Sequence, residues 1–257
     1  MAILLDGSTD KIVYAGAAPP HTGATYTWMG WVRTSADVTT QQAIFSVNDG
    51  DWREQDLILL ASSGGWKWST FVSISSANTF SYGSTVAAGD TWYHLAMVRT
   101  SDTALDLYVN GAFDNTNARD VTGRTSSTQI ELGTYEAGSS LFEGAIAAEK
   151  IWTTDLSAAQ IASEMRTYAP QNLASIWAWY PHFSGATPRL RDNGGDARDW
   201  TVGAGTPTDR DGPPILWGAL SPQTAISGGG TPPAGNNLAW KLASSRPSLA
   251  GVGGLAG

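Results

Sequence analysis

The sequence predicts an all-β protein, an antiparallel β-sandwich of the jelly-roll type with one short helix and an extended C-terminal arm. Three observations favour this fold class. Apolar and polar residues alternate with period two through most of the first 150 or so residues. The alternating segments recur at roughly 8–12-residue spacing, which is typical of sandwiches and jelly rolls. Glycine (29) and tryptophan (12) are frequent, whereas only 15% of residues are charged, as expected of a turn-rich β protein.

The strands follow from the alternation. In residues 26–33, Trp28 and Val32 fall on one face, and Met29 and Trp31 fall on the other. Further strands are predicted at 56–61, 66–74, 92–99, 104–109, 129–133 and 143–152 and, beyond the predicted helix, at 174–183.

Two local signals add a turn and a helix. Asn110-Gly111 directly follows a predicted strand and is the strongest hairpin signal in the chain. Ser157 is a good N-cap residue, and Gln160, three residues later, can complete a capping box. The sequence therefore predicts a short helix after Ser157, ending before Pro170.

The composition changes near residue 216, which divides the chain into a jelly-roll domain (1–215) and a Gly/Pro-rich arm (216–257). The arm contains only Lys241 and Arg246 as charged residues. Such a segment cannot build a hydrophobic core of its own. We therefore expect the arm to dock on a neighbouring subunit; the alternative is a tail that docks on nothing.

One short stretch of the arm is amphiphilic. Leu238, Trp240 and Leu242 alternate with small or charged residues there. A tryptophan flanked by leucines is a typical aromatic anchor for a groove on another chain. We predict that these three residues form the partner-binding segment.

Several classes of protein are disfavoured by composition. The net charge is −8 and the pI is about 4.7, so nucleic acid is not an expected partner. The absence of cysteine excludes disulfides, thiolate metal sites and cysteine catalysis. No apolar run is long enough to span a membrane. Residues 1–6 have neither a basic region nor an apolar core, so we expect no secretory signal.

An ordered set of motifs covering residues 1–165 resembles the laminin-G-like and pentraxin-like domains of the concanavalin-A-like lectin/glucanase fold. The motifs lie at 5–13, 28–34, 92–99, 107–111, 132–133, 142–146, 151–152 and 156–161. This resemblance implies a two-sheet jelly roll. It implies less about function, because the fold hosts lectins, adhesion modules, glucanases and virion proteins.

Without cysteines or a secretory signal, the chain resembles most the laminin-G-like proteins of tailed-phage virions. That resemblance implies a non-enzymatic structural protein of the virion, assembled in the host cytoplasm and decorating or cementing a capsid. The implied partners are the major capsid protein or the tail, and further copies of the chain in a homo-oligomer. The alternative is a carbohydrate-binding lectin-type module, receptor-binding or tail-associated, that recognises surface glycans.

A glycosidase is the third hypothesis, and the resemblance to laminarinase-type enzymes allows it to be weighed. Those enzymes place two catalytic carboxylates in a Glu-x-Asp-x-x-Glu strand, because a retaining mechanism needs them about 5–5.5 Å apart. Here Glu54 and Asp56 are present, but Leu59 occupies the position of the second glutamate. We therefore predict that the chain is not an enzyme.

Calcium is the cofactor that the pentraxin resemblance allows. It implies that Gln55 and Asp56 are one ligand pair and that Glu136 lies in a second ligand loop. Calcium takes 6–8 oxygen ligands, whereas only two or three are recognisable here. The sequence therefore predicts no cofactor, with calcium at these residues as the alternative.

Aromatic residues are the candidates for a saccharide surface, because sugar faces pack on aromatic rings. Most of the tryptophans lie within predicted strands, where alternation assigns them to the core. Trp52, Trp200 and Trp217 lie in loop-like sequence and are the predicted ligand residues. His94 lies within a strand, and we predict a packed, structural histidine.

Overall fold

The computed structural model describes residues 2–16, 25–36, 38–48, 55–74, 77–124, 127–135, 140–182, 190–194, 198–213 and 215. Their strands are β1 (Ala2–Asp6), β2 (Lys11–Ala15), β3 (Tyr26–Thr34), β4 (Gln42–Asn48), β5 (Gln55–Ser62), β6 (Trp66–Ile74), β7 (Ala77–Val86), β8 (Trp92–Ser101), β9 (Ala104–Val109), β10 (Ala112–Asn117), β11 (Gln129–Leu132), β12 (Glu143–Trp152), β13 (Ile176–Tyr180), β14 (Thr201–Ala204) and β15 (Thr208–Arg210). The described part of the chain contains one helix, α1 (Ala158–Glu164).

The strands form two antiparallel sheets. Sheet A has eight strands in the order β10-β9-β8-β3-β12-β1-β15, with β13 pairing the second half of β12. Sheet B has seven strands in the order β14-β2-β11-β4-β5-β6-β7. Neighbours in each sheet are frequently distant in sequence, as in a jelly roll. The all-β sandwich predicted from the sequence is confirmed.

The main hydrophobic core lies between the two sheets and draws on both. Trp28 of β3 stacks on Phe45 of β4 with ring centroids 4.6 Å apart and planes inclined by 17°. Trp28 and Val32 face this core, whereas Met29 packs in a second cluster on the outer side of sheet A. The face assignment made from the alternation in β3 is therefore confirmed.

A buried polar cluster also joins the sheets within this core. Asp56 of β5 accepts hydrogen bonds from the Tyr26 hydroxyl at 2.7 Å and from Arg99 Nε at 3.2 Å. It also pairs with Arg99 Nη2 and, at 2.8 Å, with Arg124 Nη1. All four residues are at most 2% exposed. Burial raises the pKa of Tyr26 well above its usual value, with the Asp56 charge adding to the effect.

The β9–β10 hairpin forms as predicted. Asn110 and Gly111 both have positive φ, 52° and 80°, which is the geometry of a type I′ turn. The hairpin places β10 at the edge of sheet A.

Helix α1 begins as predicted but ends earlier. Ser157 Oγ accepts from Gln160 N, and Ser157 N donates to Gln160 Oε1, which completes the capping box. The helix ends at Glu164, before Pro170 is reached. Lys150 Nζ of β12 pairs with the Glu164 carboxylate at 2.9 Å and donates to the Glu164 carbonyl at 2.8 Å. Ile161 is fully buried against sheet A. Among the described residues no helix is long and apolar enough to cross a membrane.

Candidate functional site

Strand β7 is the edge of sheet B and presents a regular line of exposed side chains. Its even-numbered residues are exposed from residue 78 to residue 86, including Phe80 at 39% and Tyr82 at 41%. The intervening residues are mostly half-buried. From Asn78 to Tyr82, where β7 pairs regularly with β6, every second side chain stands on the same face. Between Tyr82 and Val86 the register shifts, because β7 has two extra residues there.

Phe80 and Tyr82 form an aromatic cluster with Phe71 of the neighbouring strand β6. The Phe71 and Phe80 rings meet edge to face with centroids 4.7 Å apart. The Phe80 and Tyr82 rings are nearly parallel, with centroids 5.9 Å apart and an interplanar angle of 12°. Phe71 is only 7% exposed and so supports the other two from behind. We call these three residues the aromatic edge.

The strand that carries the aromatic edge is anchored to β10 of the other sheet by Asp114. Its carboxylate accepts from Ser84 N at 2.9 Å, Ser84 Oγ at 2.6 Å, Thr85 N at 3.1 Å and Thr85 Oγ1 at 2.6 Å. Gly83 leaves room for this carboxylate, since a Cβ there would overlap it. Side chains thus bridge the two sheets where backbone pairing ends.

Two amides of β10 extend this contact along β7. Asn115 Nδ2 donates to Ser81 Oγ at 2.9 Å, and Asn117 Nδ2 donates to the Thr79 carbonyl at 2.9 Å. At the far end of the aromatic edge, the exposed Asn78 accepts from Ser73 Oγ at 2.8 Å. The aromatic edge is therefore held on a strand fixed at several points.

The outward face of sheet B becomes polar toward its centre. Glu131 of β11 is in register with Ser46 of β4. Following the register partners from Ser46 across β5 leads to Phe71 of β6 and Phe80 of β7. Glu131 Oε2 accepts from Asn48 Nδ2 at 3.1 Å. Glu131, Ser46 and Asn48 are at most 3% exposed. The centre of this face is therefore buried, whereas β7 at one edge of the sheet and β14 at the other are exposed.

A cleft of about 400 Å³ lies elsewhere, on sheet A. It is lined by Leu4, Leu5, Asp6, Asp10, Ser35, Glu143, Gly144, Thr206, Thr208 and Arg210. The Asp6 carboxylate accepts hydrogen bonds from residues of its own turn, Ser8, Thr9 and Asp10. Desolvation acts to raise the pKa of Asp6, but these hydrogen bonds hold it well below its usual value. The described lining contains no aromatic ring, so this cleft is the weaker candidate for a saccharide.

The predicted calcium ligands are not brought together among the described residues. Asp56 faces the core, where two guanidinium groups and a phenol engage its oxygens, so it does not fit a calcium site. The side chain of Gln55 and the whole of Glu136 lie outside the described residues. In the part of the chain that the structure describes, no three His, Asp or Glu side chains are grouped to hold a metal.

The predicted ligand and partner residues have different outcomes. Trp200 is 3% exposed and packs on Tyr180 in the main core with centroids 5.1 Å apart, so it offers no ring to a ligand. Its loop-like sequence concealed that it lies beside the start of β14. The remaining predicted residues, Trp52, Trp217, Leu238, Trp240 and Leu242, lie outside the described residues, and their roles stay predictions. His94 is 2% exposed and packs on Trp31, as predicted.

Sequence reasoning missed Phe80 and Tyr82, although a signal was present. The two aromatics are spaced by two within a run of small polar residues, Asn78-Thr79-Phe80-Ser81-Tyr82. This is the pattern of a half-exposed strand with an aromatic outer face.

Comparisons with known proteins place the chain in a fold family. Residues 6–162 match a family model described as the concanavalin A-like lectin/glucanases superfamily. No curated protein matches the chain. A SAP-like heptameric pentraxin from Limulus polyphemus is 15% identical with a TM-score of 0.50, over 63% of this chain and 79% of that chain. A putative carbohydrate binding protein from Bacteroides ovatus is 14% identical with a TM-score of 0.58, over 84% of this chain and 61% of that chain.

Proposed function

Because the chain belongs to the concanavalin A-like lectin/glucanases superfamily, we propose that it is a non-enzymatic carbohydrate-binding module whose ligand packs on the aromatic edge. The observation that carries this proposal is the pair of nearly parallel rings of Phe80 and Tyr82, each about two-fifths exposed and supported by Phe71. The structural similarity to a putative carbohydrate binding protein is in keeping with it.

The chemistry of the aromatic edge matches a saccharide. A sugar ring has an apolar face of C–H groups and a rim of hydroxyls, so it needs an aromatic surface next to hydrogen-bonding groups. Phe80 and Tyr82 supply the surface, and the Tyr82 hydroxyl and the Asn78 amide supply polar groups beside it. An aromatic side chain has roughly 200 Å² of surface that can be buried. Covering the exposed two-fifths of one such side chain would contribute about 2 kcal/mol to the free energy of binding.

The non-enzymatic part of the proposal is supported by strand β5. Leu59, at the position where a glucanase motif has its second glutamate, packs with Ala43 and Phe71 in an apolar cluster on sheet B. Asp56, the central carboxylate of that motif, is held in the core by Arg99 and Arg124. A retaining mechanism needs both carboxylates beside the substrate, and with Leu59 at its position the second carboxylate has no counterpart on β5. The first, Glu54, lies outside the described residues.

The virion role stays a prediction that rests on the resemblance of the sequence. The arm that would hold the chain to capsid or tail proteins, with Trp240 as its anchor, lies outside the described residues. Carbohydrate binding and decoration of a capsid are compatible, because an outward-facing jelly roll would present the aromatic edge to its surroundings.

Affinity electrophoresis in gels containing a panel of polysaccharides tests the proposal. We expect at least one polysaccharide to retard the wild-type chain, and the retardation to be lost in Phe80→Ala and Tyr82→Ala. Phe113→Ala is the matched control, since Phe113 is an aromatic on β10 that is 57% exposed and outside the aromatic edge. Retardation that survives both β7 substitutions, or none in the wild type, would contradict the proposal.

A further inference from the structure

We infer that the ligand is an interior stretch of a neutral, linear polysaccharide that lies along strand β7. This inference deepens the proposed function and rests on it. It depends on three properties of the aromatic edge and its strand: their lack of charge, the alignment of their exposed side chains, and the openness of both strand ends.

The aromatic edge is uncharged, although the protein as a whole is acidic. None of the ten residues of β7, ANTFSYGSTV, is ionisable near neutral pH. The residues of β6 in register with Asn78, Phe80 and Tyr82 are Ser73, Phe71 and Ser69, which are uncharged as well. A charged ligand would therefore find no counter-charge at the aromatic edge itself. Lys67, the only charged residue of β6, lies in register with Val86 at the other end of β7.

The charge that hydrogen-bonds to β7 is negative. Asp114 binds the strand through Ser84 and Thr85, and the chain as a whole has a net charge of −8. A polysaccharide bearing carboxylates or sulfates would be repelled by both, although salt would weaken the long-range part. The aromatic edge thus favours a ligand with no charge of its own.

The exposed side chains form a line. Asn78, Phe80 and Tyr82 stand on successive even positions of the regularly paired part of β7, with about 14 Å between the first and the last at about 3.4 Å per residue. A line of this length fits two or three sugar rings in sequence, each with an apolar face toward the strand. A single monosaccharide would cover only part of it.

Both ends of β7 are exposed in the part of the chain that the structure describes. Ala77 is exposed at one end of β7, and Val86 is 54% exposed at the other. The described residues therefore form no closed pocket that would recognise the end of a polysaccharide. An open line admits the interior of a polymer, whereas a pocket that selects a chain end has to close around it.

Affinity electrophoresis of the full-length protein separates these properties. The neutral probes are konjac glucomannan, galactomannan and mixed-linkage β-glucan, and the acidic probes are alginate and polygalacturonate. We expect retardation by at least one neutral polysaccharide and by neither acidic one. Calorimetric titration should then give at least tenfold tighter binding for an oligosaccharide of six units than for the corresponding monosaccharide.

Three variants connect the result to β7. Phe80→Ala and Tyr82→Ala should each weaken binding at least tenfold, whereas Phe113→Ala should leave it unchanged. Circular dichroism checks that each variant is folded. If Phe80→Ala does not fold, Phe80→Leu replaces it, because leucine keeps apolar volume against Phe71 and removes only the ring.

The possible failures are distinguishable. Binding of alginate or polygalacturonate that depends on Phe80 and Tyr82 overturns this inference and leaves the proposed function standing. So does a monosaccharide that binds as tightly as the oligosaccharide. A wild-type chain retarded by no polysaccharide overturns both. A dimer in light scattering that becomes a monomer in Tyr82→Ala would make the aromatic edge a contact between copies, which also overturns both.

Discussion

Asp56 is a carboxylate with a stabilising role that depends on its charge. It lies between Arg99 and Arg124 in the core and also accepts the Tyr26 hydroxyl. Breaking a buried ion pair leaves the partner charge without compensation, which destabilises a protein by about 3–5 kcal/mol. Asp56→Asn should therefore lower the free energy of unfolding, measured by urea denaturation, by an amount in that range.

The exposed pair between Arg33 and Asp90 is the control for this prediction. Its N–O distance is 2.7 Å, close to those in the core, but its side chains are 22% and 53% exposed. Exposed ion pairs contribute about 0–1 kcal/mol. If Asp90→Asn lowers the free energy of unfolding as much as Asp56→Asn does, burial is not what makes the core ion pairs stabilising.

His94 gives the fold a pH dependence that can be calculated in sign. Burial, together with the nearby charge of Lys150, lowers the pKa of His94 from 6.5 to about 3 in the folded state. Between these pH values the unfolded chain binds a proton that the folded chain does not, so stability falls as the pH falls below 6.5. The slope contributed by one such proton is about 1.4 kcal/mol per pH unit.

Urea denaturation of the wild type and of His94→Gln between pH 6.5 and 4.5 measures this contribution. The wild type should lose stability more steeply than the variant on acidification, by close to one proton's slope, whatever the absolute stability of the variant. Equal slopes in the two proteins would show that the imidazole is protonated within the folded state.

At the scale of elements, β7 has backbone pairing along one side only and depends on side-chain hydrogen bonds along the other. It pairs with β6 on one side and is held by Asp114, Asn115 and Asn117 on the other. Asp114→Ala should raise the hydrogen-exchange rates of the Ser84 and Thr85 amides about tenfold, corresponding to about 1.4 kcal/mol. It should also weaken polysaccharide binding, because the aromatic edge is carried by this strand.

Asp120→Ala is the matched control for the β7 prediction. Asp120 also accepts a backbone hydrogen bond, from Thr122 N at 2.8 Å, but within its own exposed turn. Its removal should leave exchange at Ser84 and Thr85, and the affinity for polysaccharide, unchanged. If both variants behave alike at β7, the bridge between the sheets is not what orders the strand.

The elements that sequence could predict are those with a local cause. The β9–β10 turn follows from Asn110-Gly111, and the start of α1 follows from Ser157 and Gln160. Strand β4 was not predicted, because an irregularity between Ala43 and Phe45 breaks the alternation and places adjacent apolar residues in one core. The exact end of α1 was not predicted either; there the last helical residue, Glu164, contacts Lys150 of a strand that is distant from the local sequence signals.

The candidate site was less predictable than the fold for the same reason. Asp56 carries the same carboxylate whether it binds calcium or arginine, and only the pairing of β5 with its surroundings brings Arg99 and Arg124 to it. Trp200 is likewise removed from solvent by a contact with Tyr180. Chemical type can be read along a chain, whereas exposure and partners are properties of the assembled sandwich.

For the whole molecule, we predict that residue 215 marks the boundary between a part that folds by itself and an arm that serves assembly. The strands and the helix that the structure describes lie between Ala2 and Arg210, and so do the clusters of buried apolar residues. A chain of residues 1–215 should therefore unfold in urea within about 1 kcal/mol of the full-length chain and bind polysaccharide equally well. If the arm anchors on another copy through Trp240, the same truncation, and Trp240→Ala alone, should lower the oligomeric mass measured by light scattering. Unfolding of the truncated chain would place part of the core beyond residue 215, whereas an unchanged mass would remove Trp240 from the contact between copies.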